Sequence, residues 1–457
     1  MRQRIVGTRF PVTRVFAVAA TGTLAWRERA TTVFAGASAE ALVLAVAVPI
    51  IFIHLRYQPK FHVTAGSTSV GVELSDLAIL AVCLAAIVAG ARRGWLPLRR
   101  GVPLWIATSL YFAWVAVEIL IPHGSAGYPT TTHAVTAAKF LEYALLAPAL
   151  VLIVRTRLDL RPMVLAVVAW SVLASAVGLV QFFGANIFIS GATGGRQLSF
   201  LGFHDFAALS SAALLLGVAA IVLARLEITP AVAWTAIVAG GIGVILSAAV
   251  AAVIGIVAAC AVLVVRLVVR REWSGRRAVP AALAVAVTLA GAVAMRGNDL
   301  GHYLGFLETN QKQTNVQTYA HRTVLAYIGY RIWRDHPVAG VGWEASGEPS
   351  RFLHYIPAAR RKYSSEPALA FPSRTRLYGV QNFYVQHLAD LGVVGLLLLG
   401  LVLGSGIVLA LRGTGLGATL GLLWVVLVAG LWLSEGIVAG LPIDALTWLA
   451  LGLAARG

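Results

Sequence analysis

Charge is scarce in this chain. Only 12% of its 457 residues are Asp, Glu, Lys or Arg, and 59% are hydrophobic, whereas an ordinary soluble domain is about a quarter charged. A soluble fold of this length is excluded. Acidic residues are the scarcest, 19 against 36 basic ones, which leaves a net charge of +17. In a membrane chain such an excess has to be located before it is read as affinity for nucleic acid, and its location here is topological, so no nucleic-acid partner is expected. Cysteine occurs twice, as Cys83 and Cys260, both within apolar stretches, so there is neither a disulfide framework nor a thiolate metal set. No compact metal-ligand spacing is present, and neither metal nor cofactor is expected. The apolar–polar alternation of a membrane β-barrel is also missing.

What the chain has instead is a series of apolar runs, such as 41–53, 212–224 and 396–411. In lipid, a helix satisfies its own backbone groups, so such runs predict helices. With a mean hydropathy of +0.83, the expected fold is all-α: a polytopic membrane protein with about twelve transmembrane helices. The predicted spans are 38–55, 73–91, 102–121, 134–155, 162–184, 199–224, 231–247, 249–269, 278–295, 383–411, 417–433 and 436–453, each near the ~20 residues needed to cross. The chain thus divides into a basic tail (1–37), nine spans (38–295), one large polar loop (296–382) and three final spans (383–457).

Arginine fixes the expected orientation. The tail carries six Arg and one Glu and no convincing signal-cleavage site. The short connections bearing Arg92, Arg93, Arg99 and Arg100, then Arg155, Arg157 and Arg161, then Arg266, Arg270, Arg271, Arg276 and Arg277 alternate with a segment, 122–133, that has no Lys or Arg. Basic short loops stay in the cytoplasm, which puts both termini inside and the large loop outside. At the outer ends of the spans lie Glu73, Asp76, Glu118, Lys139, Glu142, Gln181, His204, Asp205, His387, Asp390 and Glu435. Ionisable groups in lipid are costly and tend to mark sites, so a polar cavity opening outward is expected, although single residues near helix ends also snorkel to the interface. Lys139 and Glu142, three apart, are expected to pair.

Within the loop, Val324, Ile328 and Ile332 recur at helical spacing, which predicts an amphipathic helix over 319–334 lying near the membrane. Pro337 stops it, and Gly340-Val341-Gly342-Trp343 predicts a tight turn. Arg360-Arg361-Lys362 and Arg374-Thr375-Arg376 follow, either as a solvated face or as a surface for anionic groups.

Three stretches carry a family resemblance: Arg322; Asp335-His336-Pro337-Val338-Ala339-Gly340-Val341-Gly342; and Gln381-Asn382-Phe383-Tyr384-Val385-Gln386-His387-Leu388-Ala389-Asp390-Leu391-Gly392. They resemble the "HPLxGVG" and "HNxxLxxxxExG" segments of the bacterial O-antigen ligase and polymerase superfamily. Earlier, Arg196 with Gly202-Phe203-His204-Asp205-Phe206-Ala207 is similar to the family's Arg and "GxFxxPNxxA", and Ile245-Leu246-Ser247 to the start of its "SRGA".

The resemblance implies a glycosyltransferase that moves a glycan from a polyprenyl diphosphate to a glycan or lipid acceptor outside the membrane. It also implies substrate-binding roles for Arg196, Arg322, His204, Asp205, Asn382, Gly340 and Gly342. Two departures stand out: Gln381 replaces the His thought to activate the acceptor, and Ala248 replaces an Arg. A glutamine amide takes up no proton at neutral pH, so the catalytic candidates are Gln381 as an orienting group with His387 or His354 as a relocated base. A non-catalytic partner in envelope-glycan assembly and a lipid or glycan transporter are the alternative readings.

Overall fold

The computed structural model describes residues 36–65, 68–121, 129–188, 195–224, 228–308, 316–436 and 442–457. Most of the basic tail and of segment 122–133 lies outside the described residues. The fold is the expected all-α polytopic one. A helix overlaps each predicted span: α1 (Ala39–Ile51), α2 (Leu74–Arg93), α3 (Val102–Leu120), α4 (Thr130–Ala144) continued by α5 (Leu146–Ile153), α6 (Arg157–Phe182), α7 (Phe203–Leu223), α8 (Pro230–Ser247), α9 (Val250–Val269) and α10 (Gly275–Ala294). The large loop holds α11 (Gly297–Glu308), α12 (Thr318–Asp335), α13 (Pro349–Phe352) and α14 (Ile356–Lys362), and the chain ends with α15 (Phe383–Arg412), α16 (Gly415–Leu431) and α17 (Pro442–Arg456). Among the described residues, nine helices are long and apolar enough to cross a membrane, while α1 and α16 are apolar but shorter. One element was not anticipated, an antiparallel hairpin of β1 (Lys60–Ala65) and β2 (Thr68–Glu73) with Lys60 opposite Glu73.

Helix ends meet in two sets. In one, the Ser38 amide caps on Asp159 at the start of α6 (3.0 Å), Arg93 at the end of α2 reaches Ile153 O at the end of α5 (3.4 Å), and Arg266 of α9 reaches Ala410 O and Gly413 O at the end of α15 (2.9 Å each). In the other, the His54 amide after α1 meets Phe200 O before α7 (3.4 Å), Gln197 meets Leu246 O at the end of α8 (2.9 Å), and Asn382 at the start of α15 meets Leu433 O after α16 (3.0 Å). Successive spans therefore run alternately between two rims, and the large loop sits on the second. The core centres on α7, buried along nearly its whole length. Glycines let neighbouring backbones approach it: a Cβ on Gly240 of α8 would stand 2.6 Å from Leu214 N and Ser210 O. Small residues of this kind bring helices together where lipid offers no hydrophobic drive.

Two local expectations change. The apolar stripe of α12 does not face lipid. Val324, Ile328 and Ile332 are buried with Val341, Phe352, Tyr355, Phe371 and Ala389, so the loop forms its own small core around the helix. Lys139 pairs with Asp76 of α2 (3.0 Å) rather than with Glu142, an interhelical bridge replacing the expected one on a single helix.

Candidate active site

Where the large loop meets the second rim, the loop is plugged into a break in α15. Gly392 has φ +65°, which interrupts the helical hydrogen bonds there. The freed carbonyls of Ala389, Asp390 and Leu391 accept from Val341 N (2.9 Å), Gly342 N (2.9 Å) and Trp114 Nε1 (3.1 Å), while Val393 N and Val394 N donate to Pro337 O (2.9 Å) and Val338 O (3.3 Å). Buried backbone groups need partners, and the His336–Gly342 turn supplies most of them. Asp390 accepts from Ser346 N (2.7 Å), and Trp343 is fully buried and donates to Thr136 on α4 (3.1 Å).

This geometry reassigns Gly340 and Gly342, expected at a phosphate. Their amides, with that of Val341, are spent on His336 O, Asp390 O and Ala389 O, so neither glycine offers its N–H to an anion. Asn382 is likewise occupied. It caps α15 through Val385 N (3.0 Å) and ties to Leu433 O. His387 is fully buried, with Nε2 2.6 Å from the Tyr111 hydroxyl and Nδ1 3.0 Å from Phe383 O, so both ring nitrogens serve packing. His354 stands exposed on a short turn of the loop against Tyr355.

Arg196, Arg322 and His204 converge. Gly202, with φ +90° and His54 packed where a Cβ would go, turns the chain into α7 and places His204 in its first turn. Segment 195–197 lies along the C-terminus of α8: Arg196 Nε donates to Ser247 O (2.8 Å), and its guanidinium covers the Phe203 ring at 4.1 Å. A cation suits a helix C-terminus, where carbonyls point outward. Ala248, in the place of the family's Arg, takes the left-handed cap with φ 46° and is buried. From α12, Arg322 Nη2 stands 3.3 Å from His204 Nε2, and His204 Nδ1 contacts the Glu435 carboxylate, in the connection after α16.

A third guanidinium joins them. Arg296, directly after α10, is buried and donates to the Tyr319 hydroxyl (3.0 Å), one turn before Arg322, while bridging to Asp299. Burial and the charges of Arg296 and Arg322 pull Arg196 down to about 10, and burial lowers Arg322 as well, with Glu435 opposing. A cation whose pKa falls on folding costs stability wherever it stays protonated, which includes neutral pH. A bound anion would relieve that cost.

Sequence reasoning missed Arg296, whose place at the edge of an apolar run reads as ordinary flanking charge. It noted Glu435 by depth alone, without its partner. Asp205 is buried, its carboxylate accepting from the Ile443 amide. Gln381 is half buried, and its neighbour Val380 packs on Gly329 of α12 and on Gly436, the residue after Glu435.

Residues 234–400 match the family model described as O-antigen ligase. Over that stretch the chain is similar to O-antigen ligases, in keeping with the resemblance read from its motifs. The matched stretch runs from α8 to the middle of α15 and contains Arg296, Arg322, the turn at Gly340 and the break at Gly392, while Arg196 and His204 precede it. A comparison with curated proteins gave no match. The match supports a role of the O-antigen ligase or polymerase type for this multi-pass membrane protein.

Proposed function

We propose that this protein is a glycosyltransferase that moves a glycan from a polyprenyl-diphosphate carrier to an acceptor hydroxyl on the extracytoplasmic face. The carrying observation is the meeting of Arg196, Arg296 and Arg322 beside a His204–Glu435 pair. Guanidinium groups bind phosphate oxygens in paired, charge-assisted hydrogen bonds, and a diphosphate at this cluster would become a better leaving group as charge develops on it.

His204 replaces the missing base. The Glu435 contact favours a proton on Nδ1, which leaves the Nε2 lone pair facing the guanidiniums. In the reaction, Nε2 takes the acceptor's O–H proton and the oxygen attacks the anomeric carbon. The bond from that carbon to the diphosphate oxygen breaks, and the released diphosphate stays on the arginines. Glu435 steadies the imidazolium. Gln381, whose side chain has no hydrogen-bond partner among the described residues, can orient the acceptor through its amide.

The test uses purified protein in lipid nanodiscs with a polyprenyl-diphosphate-linked disaccharide, measuring release of polyprenyl diphosphate and binding of the donor. Loss of a charged hydrogen bond costs about 1.5–3 kcal/mol, so Arg322→Ala and Arg296→Ala should each weaken turnover roughly 10- to 100-fold. Wild-type protein that binds donor without turning it over would favour the non-catalytic partner role. Absence of donor binding would remove the reading altogether.

A further inference from the structure

The first rim, opposite the arginine–histidine site, holds a cavity of about 560 Å³ that the proposed reaction leaves unused. Its volume falls in the ~300–1,000 Å³ range of small-ligand sites. Its lining brings the cationic Arg93, Arg100, Arg155, Arg157 and Arg456 together with apolar side chains, of which Leu96 is exposed.

The cations are held in place. Arg155 donates to Leu152 O (3.1 Å), to Arg93 O (2.6 Å) and to Gly94 O, and Arg100 reaches Arg456 O (3.3 Å). Carbonyl acceptors fix a guanidinium without neutralising it.

The nearby carboxylates are few. Asp159 is committed to capping, accepting from Ser38 N (3.0 Å), Arg155 N (3.2 Å), Thr156 N (2.9 Å) and Thr156 Oγ1 (2.9 Å), and Arg93 stands 3.9 Å from it. Glu40 is 3.7 Å from both Arg92 and Arg93. With Arg92 included, cations outnumber carboxylates six to two among the described residues here.

A cationic pocket bordered by an exposed leucine, at the edge of a helical bundle, is complementary to an anion that carries a hydrocarbon chain. Clustered guanidiniums between transmembrane helices attract anionic headgroups for this reason.

We infer that this cavity is a phosphate site filled by the headgroup of an anionic phospholipid, with an acyl chain passing over Leu96. The bound lipid would link the ends of α2, α5 and α6 to those of α16 and α17. The inference is independent of the glycosyl-transfer reading, and its test does not use activity.

Native mass spectrometry of the purified full chain would count retained lipid after exposure to phosphatidylglycerol or phosphatidylcholine, and a parallel arm would add inorganic phosphate. The expected result is phosphatidylglycerol retained at least fivefold over phosphatidylcholine and little displaced by phosphate. Arg100→Gln combined with Arg456→Gln should reduce that preference at least fivefold. Leu96→Asn, which removes the exposed apolar side chain and keeps every charge, should reduce it as well. Thermal melting of each variant in phosphatidylcholine checks that it folds. Equal retention of the two lipids, full displacement by inorganic phosphate, or unchanged retention in both folded variants would each overturn the lipid assignment.

Discussion

At the scale of single residues, the decisive group is His204. Spacing in the sequence marked it together with Arg196 and Arg322, but could not say which imidazole replaced the one lost at Gln381. That choice depends on contacts between distant segments. His387 lies closest in sequence to Gln381, yet the structure spends both its nitrogens inside the protein. A positioned general base is worth roughly 10² to 10⁴ in rate. His204→Ala should therefore lower transfer by about that factor while donor binding, held by the arginines, changes little. Glu435→Gln is the finer test, because Glu435 acts through His204. An amide in its place no longer holds the imidazole as a charged partner does, so Glu435→Gln should lower kcat while donor binding and the melting temperature change little. A purely structural Glu435 would lower the melting temperature along with the rate. Gln381→His should restore part of the activity lost in His204→Ala if the two positions face one acceptor, and failure of all three effects would remove the relocated base.

Among elements, the union of the loop turn with the break in α15 is the feature the sequence only half disclosed. The glycine-containing turn and the Asp390-Leu391-Gly392 segment were both legible as motifs, and a phosphate role for the turn was a fair reading of glycine-rich backbone. What composition cannot show is that the two motifs are partners. A Cβ on Gly392 would come within 2.0 Å of Val338 O, and one on Gly340 within 2.4 Å of Asp390 O, both at positive φ. Left-handed backbone alone costs an L-residue roughly 1–2 kcal/mol, and overpacking adds about 1–3 kcal/mol. Gly392→Ala should thus destabilise the protein by at least ~2 kcal/mol, seen as a lower melting temperature in detergent. Gly400→Ala, on the same helix with open space around its Cβ position, should be neutral or slightly stabilising, since Ala exceeds Gly in helix propensity. Matching melting curves for the two variants would show that the loop is not clamped there. The helical period of α12 was equally legible, but not what covers its stripe, because a buried face reads the same whether lipid or protein lies against it.

For the whole molecule, hydropathy gave the helix positions because lipid demands long apolar runs, whereas the β1–β2 hairpin carried no comparable signal. The two sets of helix-end contacts add a constraint that composition lacks. With Ser38 joined to the start of α6 and the loop joined to the start of α7, the chain alternates between rims, and the described ends share the rim bearing Arg93, Arg155 and Arg266. Basic rims remain cytoplasmic during insertion, which would put Arg196, Arg296, Arg322 and His204 on the extracytoplasmic side, where a lipid-linked glycan would meet them. Cysteine accessibility in intact cells tests this orientation. Ser350→Cys lies exposed in the large loop and Ser274→Cys precedes α10 on the basic rim; Cys83 and Cys260 sit within helices α2 and α9 and serve as background. A membrane-impermeant maleimide should label position 350 in intact cells and position 274 only after the membrane is opened. The reverse pattern would invert the molecule, place the arginine–histidine site in the cytoplasm, and rule out glycan transfer at the outer face, whatever the site binds.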